Sequence, residues 1–162
     1  MKIKKLTTKD WLCWKEIRLE ALKSFPNTFA SSFEEEVKLA DQVFKEQLIN
    51  SDVFVVLLDS LVIACAGFYT YNQAKTRHKG VIFGMFTKNE YTGQGVASAL
   101  LKAIIDHARS KVLLLQLKCV TTNSVAIDLY IKHGFVIYGT EPCALKLDDN
   151  FVDEHLMMLD LR

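Results

Sequence analysis

The segment Thr92-Gly93-Gln94-Gly95-Val96-Ala97 lies between an apolar run, Val81 to Thr87, and an amphipathic run, Ala97 to Arg109. A strand that passes through a glycine turn into a helix aims several free backbone N–H groups, and the positive end of the helix dipole, at one point. That point suits a phosphate. Gly93 and Gly95 can take positive φ and admit a ligand to the backbone without a Cβ in the way, so the chain is expected to bind a phosphorylated cofactor.

Three cofactor classes use such a turn. A P-loop needs a lysine and a hydroxyl residue after its last glycine, whereas Val96 and Ala97 follow Gly95 here, which disfavours nucleotide hydrolysis. A dinucleotide fold needs a third glycine or alanine and an acidic residue about twenty positions on. Ser98 occupies the third place and the run Val112 to Val120 has no Asp or Glu. The pyrophosphate of coenzyme A remains. A second group follows: Asn123, Ala126 and Tyr130 stand three and four apart and share one helix face.

The flanking elements follow from periodicity and punctuation. Lys2 to Leu6 reads as a strand, and Thr8 is expected to cap a helix from Lys9 to about Ser24, ended by Pro26. Ser32 and Glu35 match a capping box, predicting one helix from Phe33 to about Ile49. Val53 to Leu58 and Leu61 to Tyr71 predict a hairpin about Asp59-Ser60, followed by a strand over Gly80 to Thr87. Ala97, Leu100, Leu101, Ile104, Ile105 and Ala108 form one apolar stripe, with Lys102, Asp106 and Arg109 outside. Val112 to Val120 is a buried strand, Asn123 caps a helix to Lys132, and Phe135 to Leu145 pairs with Phe151 to Leu161 around Asp148-Asp149-Asn150. The pattern is α/β with a mixed sheet.

The residues from Met85 through Ala97 resemble the acyl-CoA-binding motif of the GNAT N-acetyltransferases. Asn123 through Phe135 resemble that family's second motif, in the expected order and at the expected distance. The likeness extends through Arg18 to Glu36 and through Asp153-Glu154 and Met157, covering most of the chain. It implies the GNAT fold, a mixed central sheet flanked by helices, and direct transfer of acetyl from acetyl-CoA to a primary amine without an enzyme-bound acetyl. The acceptor class stays open among small metabolites, polyamines, antibiotics and protein amines. The resemblance makes Phe86 and Thr87 the strand backbone that pairs with pantetheine, and makes Thr92, Gly93, Gln94, Gly95, Val96, Ala97 and Ser98 the phosphate turn. It makes Asn123 a contact to the cofactor arm, for which a plain N-cap is an equal reading, and Tyr130 the general acid toward the thiolate. A core aromatic is the alternative for Tyr130.

Two positions depart from the family. Thr92 replaces its usual Arg or Gln, and Lys118 stands where some members that acetylate protein N-termini carry a glutamate base. That role is not carried over. Glu141 could sit at the acceptor end as substrate contact or base, and Glu35, with Glu34 and Glu36, could line it. Acids in a first helical turn also complement the dipole, the stronger reading for those three. His78, His107, His133 and His155 form no cluster, and His107 and His133 are expected on solvated helix faces. A CoA-binding sensor without turnover is the alternative to an enzyme, and a dinucleotide-dependent oxidoreductase is a weaker third.

At 162 residues, 50% of them hydrophobic, the chain suits a single domain over 1–162. A net charge of +1, with both signs interspersed, gives no footprint for nucleic acid or an anionic membrane. Met1 to Leu6 lacks the apolar stretch of a signal peptide, so a cytoplasmic protein is expected. Cys13, Cys65, Cys119 and Cys143 are scattered without metal spacing and read as buried thiols; no metal is expected. By family analogy, edge strands near the C-terminus allow a homodimer.

Overall fold

A computed structural model describes all residues, Met1–Arg162. The order is β1 Lys2–Lys5, α1 Trp11–Ser24, α2 Phe33–Glu36, α3 Asp41–Asn50, β2 Asp52–Leu58, β3 Leu61–Thr70, β4 Lys79–Thr87, α4 Val96–Ala108, β5 Leu114–Val120, α5 Ser124–Lys132, β6 Val136–Leu147 and β7 Asn150–Asp160. The seven strands form one mixed sheet in the order β1-β2-β3-β4-β5-β7-β6. The chain divides into two compact units, Met1–Tyr69 with Ile82–His107, and Thr70–Val81 with Ala108–Arg162.

In the first unit, Val53, Phe54, Val55 and Val56 of β2 are all buried. This continuous apolar run marks a strand covered on both faces. Trp14, Ile17 and Ala21 of α1 and Phe44 and Leu48 of α3 join Val53 and Val55 in the core, and Trp14 Nε1 donates to Gln47 Oε1 at 2.7 Å. The α4 stripe from Leu100 to Ala108 is buried as its periodicity predicts, each large side chain contributing about 1.5–3 kcal/mol. Lys102 and Asp106 stay outside and pair at 2.6 Å. The β2–β3 hairpin closes through Asp59 (φ 47°) and Ser60 (φ 72°), both left-handed as a type I′ turn requires.

Several expectations are corrected in this unit. The first helical segment starts with a 3-10 turn at Thr8–Asp10 whose N-cap is Thr7 rather than Thr8. Asp10 Oδ2 accepts from Thr7 N at 2.8 Å and from Thr7 Oγ1 at 2.9 Å, fixing the entry one residue earlier. The single helix expected over 33–49 is two, since Ala40 is extended (φ −64°, ψ 149°). No proline or glycine marks the break. It falls between two separate anchors, Glu36 buried against Arg18 and Phe44 buried against the core. His107 is not on a solvated face: its Nε2 lies 2.7 Å from Asp52 Oδ2, and its ring meets Phe54 and Phe68 edge-on at 5.1 and 5.9 Å.

In the second unit β4 begins parallel to β5, with Lys79 opposite Leu114 and Val81 opposite Gln116. β7 runs antiparallel to both β5 and β6. β6 is irregular twice, between Ile137 and Gly139 and between Glu141 and Leu145. Cys143 sits in the second irregularity at φ 53° and is exposed, so it is not the buried thiol expected; Cys13 is only half-buried.

Candidate acyl-transfer site

The glycine turn belongs to the first unit. Gly93 and Gly95 take φ of 73° and 81°, a conformation that costs other residues about 1–2 kcal/mol. A Cβ built on either would meet nothing within 4 Å, so both glycines serve backbone conformation and leave open space above it. The first bond of α4 runs from Ala99 N to Gly95 O at 3.0 Å. The amides of Gly95, Val96 and Ala97 therefore precede the helical ladder and are oriented for an anion. Val96 is buried, which anchors the turn, while Ala97 and Ser98 are half-buried. The turn fits a phosphate group of a bound cofactor.

The side chains around it stabilise the loop itself. Thr92 Oγ1 donates to Asn89 O at 2.8 Å and Gln94 Nε2 to Glu90 O at 2.8 Å. Thr92 thus closes the short 3-10 turn Asn89–Tyr91. On β4, Phe86 is buried with its ring edge-on to Phe25 at 5.9 Å, and Thr87 is half-buried. Gly84, also on β4, has φ 62°; a left-handed residue inside a strand bends it and interrupts the ladder locally. A Cβ there would come within 3.3 Å of Arg18 Nη1. Arg18 in turn donates from Nε and Nη2 to both oxygens of Glu36, at 3.0 and 2.9 Å, with its guanidinium 5.6 Å from the Phe29 ring centre. Glu36 is therefore committed to Arg18, while Glu34 and Glu35 are exposed. Ser32 Oγ accepts from Glu35 N at 3.2 Å, the cap its spacing predicts.

In the second unit Asn123 Oδ1 accepts from Ala126 N at 3.2 Å, capping α5. Gly134 (φ 91°) ends the helix, and Phe135 N donates back to Tyr130 O at 3.0 Å. That reversal sets the Phe135 ring edge-on to Tyr130 at 5.9 Å. Tyr130 is buried, and burial first, then the nearby Cys119, pushes its phenol well above the ordinary range. Its proton is retained at any working pH. Burial also raises Cys65 to about 12 and Cys119 to about 11, which suits inert thiols rather than nucleophiles.

Glu141 lies on β6 with Oε2 2.7 Å from Lys118 Nζ on β5. Opposite Glu141 on β7 stands Glu154, buried although charged. Its carboxyl is raised above the ordinary range by burial; Lys118 opposes the shift and Glu141 adds to it. Sequence reading noted Glu154 only as part of a wider likeness. No local pattern in Asp153-Glu154-His155-Leu156-Met157 marks it, since three polar residues precede two apolar ones. His155 Nδ1 is 2.9 Å from Thr140 Oγ1, His78 is exposed, and His133 is half-buried at the C-cap of α5.

The sequence matches the Acetyltransferase (GNAT) family over residues 14–135. No curated protein matches it. Among solved structures it is similar to a GNAT-family acetyltransferase from Streptococcus pneumoniae, at 24% identity, 98% of each chain and a TM-score of 0.84. The protein yncA of Salmonella typhimurium, solved with its cofactor acetyl-CoA, aligns at 19% identity over 100% of this chain and 94% of that one, with a TM-score of 0.83. A ribosomal-protein-alanine N-acetyltransferase from Brucella melitensis aligns at 20% identity over 99% of each chain, with a TM-score of 0.78. At these identities the structural likeness establishes the fold. The family match spans the glycine turn, α4, β5 and α5, and this chain belongs to the GNAT acetyltransferase family.

Proposed function

We propose that this protein binds acetyl-CoA and moves its acetyl group directly to a primary amine in a ternary complex. The observation that carries the reading is the left-handed Gly93/Gly95 pair at the opening of α4, with space above both glycines. In this reading the amides of Gly95, Val96 and Ala97, with Gly93, Gln94 and Ser98 shaping the turn, hold the pyrophosphate. The backbone of Phe86 and Thr87 pairs with the pantetheine arm, and one of its amides polarises the thioester carbonyl. Asn123 keeps its cap and presents its helix end to the arm. Tyr130, protonated throughout, donates to the departing thiolate. Glu35 is exposed and Glu141 is engaged by Lys118, so both serve at most as outer acceptor contacts.

The acceptor belongs to the same proposal. A free amine on a metabolite, polyamine, antibiotic or protein satisfies the chemistry, and the Brucella melitensis relative makes an alanine N-terminus a sensible member of any panel. The test is a calorimetric titration with acetyl-CoA followed by thiol-release assays with spermidine, kanamycin and an alanyl peptide. Saturable one-site binding with thiol release is expected. Binding without release from any amine would leave a CoA-binding module, and no binding by folded protein would overturn the reading.

A further inference from the structure

Three charged side chains are buried, Arg18, Glu36 and Glu154. The first two satisfy each other through a two-point contact. Glu154 has no such arrangement: Lys118 and Glu141 are its charged neighbours, and their own 2.7 Å contact joins them to each other. Its stem is buried, but no buried side-chain oxygen of the protein is left without a hydrogen bond, so the Glu154 carboxylate reaches solvent at the end of that stem. A carboxylate on a buried stem that opens to solvent and bonds to no other side chain is free to exchange its proton.

The sheet register gives it a setting. Val120 on β5, Glu154 on β7 and Glu141 on β6 lie in one row, and Lys118, Leu156 and Gly139 lie in the next row on the same face. Gly139 has no side chain, so the Lys118 ammonium passes diagonally over β7 to Glu141, across the strand that carries Glu154. We propose, on the acetyltransferase reading above, that Glu154 is the general base that takes the proton from the acceptor ammonium.

The groups around it fit that task. Lys118 faces it from β5 and Glu141 from β6, while Cys119 lies on the opposite face of β5 and Tyr138 acts on Lys118. Burial raises its affinity for a proton, Lys118 opposes the shift and Glu141 adds to it, and the net upward direction makes the carboxylate a better base. The proton count closes as follows. Glu154 removes one proton from the ammonium, and the freed lone pair forms the C–N bond at the thioester carbonyl. The C–S bond then breaks with its electron pair on sulfur, which takes the Tyr130 proton. The second nitrogen proton returns through solvent to Tyr130, and Glu154 releases its own to water, so one proton is liberated per acetyl transferred.

The test compares wild type, Glu154→Gln, Glu154→Asp and Lys118→Met, with acetyl-CoA and whichever of spermidine, kanamycin and an alanyl peptide wild type acetylates. Glu154→Gln should lower kcat by about a hundredfold, abolish the acidic limb of the pH–rate profile and leave acetyl-CoA binding by calorimetry unchanged; Glu154→Asp should recover part of the rate. Carboxyl carbon NMR of glutamate-labelled protein reads the same group with no substrate present. The resonance missing from Glu154→Gln should titrate above the other glutamates, and Lys118→Met should move both that midpoint and the acidic limb upward. Full rate with the limb intact in Glu154→Gln, or a Glu154 resonance that titrates with the exposed glutamates, overturns the base and leaves the acetyltransferase reading standing. Wild type that releases no CoA with any of the three amines overturns both.

Discussion

The Lys118 ammonium reaches Glu141 Oε2 at 2.7 Å by crossing the strand that carries Glu154. The bridge is more than a surface ion pair, because both of its members act on the Glu154 carboxylate. Both of its members are substantially exposed, at 55% and 44% of their side-chain surface, so the bridge itself adds little stability. Its consequence lies in the protonation of Glu154.

Glu154→Gln should stabilise the folded protein at neutral pH. Burial raises the folded-state affinity of Glu154 for its proton, so the neutral form favours folding at low pH. That contribution is lost as pH rises from the ordinary carboxylate range through the raised folded value. The variant has no such loss. Thermal melts should give Glu154→Gln a higher Tm than wild type at neutral pH, with the gap closing on acidification. A lower Tm at neutral pH would mean that the ionised carboxylate is favourably held.

The Arg18–Glu36 pair should behave in the opposite way. Removing Glu36 as Glu36→Ala strands a buried guanidinium beside Gly84, and breaking a buried pair from one side costs about 3–5 kcal/mol. Replacing both, as Arg18→Met with Glu36→Leu, should restore most of that loss. Urea denaturation measures it, and a Glu36→Ala effect under about 1 kcal/mol, the range of exposed pairs, would show that solvent already compensates Arg18.

What the sequence made legible was local. The stripe from Ala97 to Ala108 needed only the helical period, the Asp59-Ser60 hairpin only its two flanking runs, and the glycine turn only its position between a strand and a helix. Asn123 at the cap of α5 is read from the same few residues. The break at Ala40 was not legible, because long-range burial of Glu36 and Phe44 imposes it. His107 read as solvated because its partners Asp52, Phe54 and Phe68 lie about 40 to 55 positions away. Glu154 was hidden for a related reason. Its neighbours follow from the register of β5, β7 and β6, and the irregularities in β6 that fix this register have no local sequence mark.

The turn predicts a separation between folding and binding. Gly95→Ala places a Cβ on a residue at φ 81° with nothing within 4 Å, so the fold should lose only about 1–2 kcal/mol. The same methyl enters the space assigned to phosphate, and acetyl-CoA affinity should drop by about tenfold or more. Thr92→Arg sacrifices one hydrogen bond to Asn89 O but adds a cation beside the turn, so its affinity should equal or exceed that of wild type. Calorimetry with melts run in parallel separates the two effects. Weaker binding by Thr92→Arg would mean that the Thr92 contact is what holds the turn open.

Tyr130→Phe isolates the last proton transfer. The ring is buried and meets Phe135 edge-on, so phenylalanine preserves the packing and removes only the hydroxyl. Acetyl-CoA binding should be unchanged while kcat falls by about a hundredfold or more, the usual range for a lost general acid. Burial holds the phenol protonated well beyond the ordinary range, so the wild-type rate should show no alkaline fall from Tyr130 across mildly basic pH. The acidic limb assigned to Glu154 should persist in Tyr130→Phe, because base and acid are separate groups acting on different atoms. A rate equal to wild type at every pH would remove Tyr130 from the mechanism and leave the thiolate to take its proton from water.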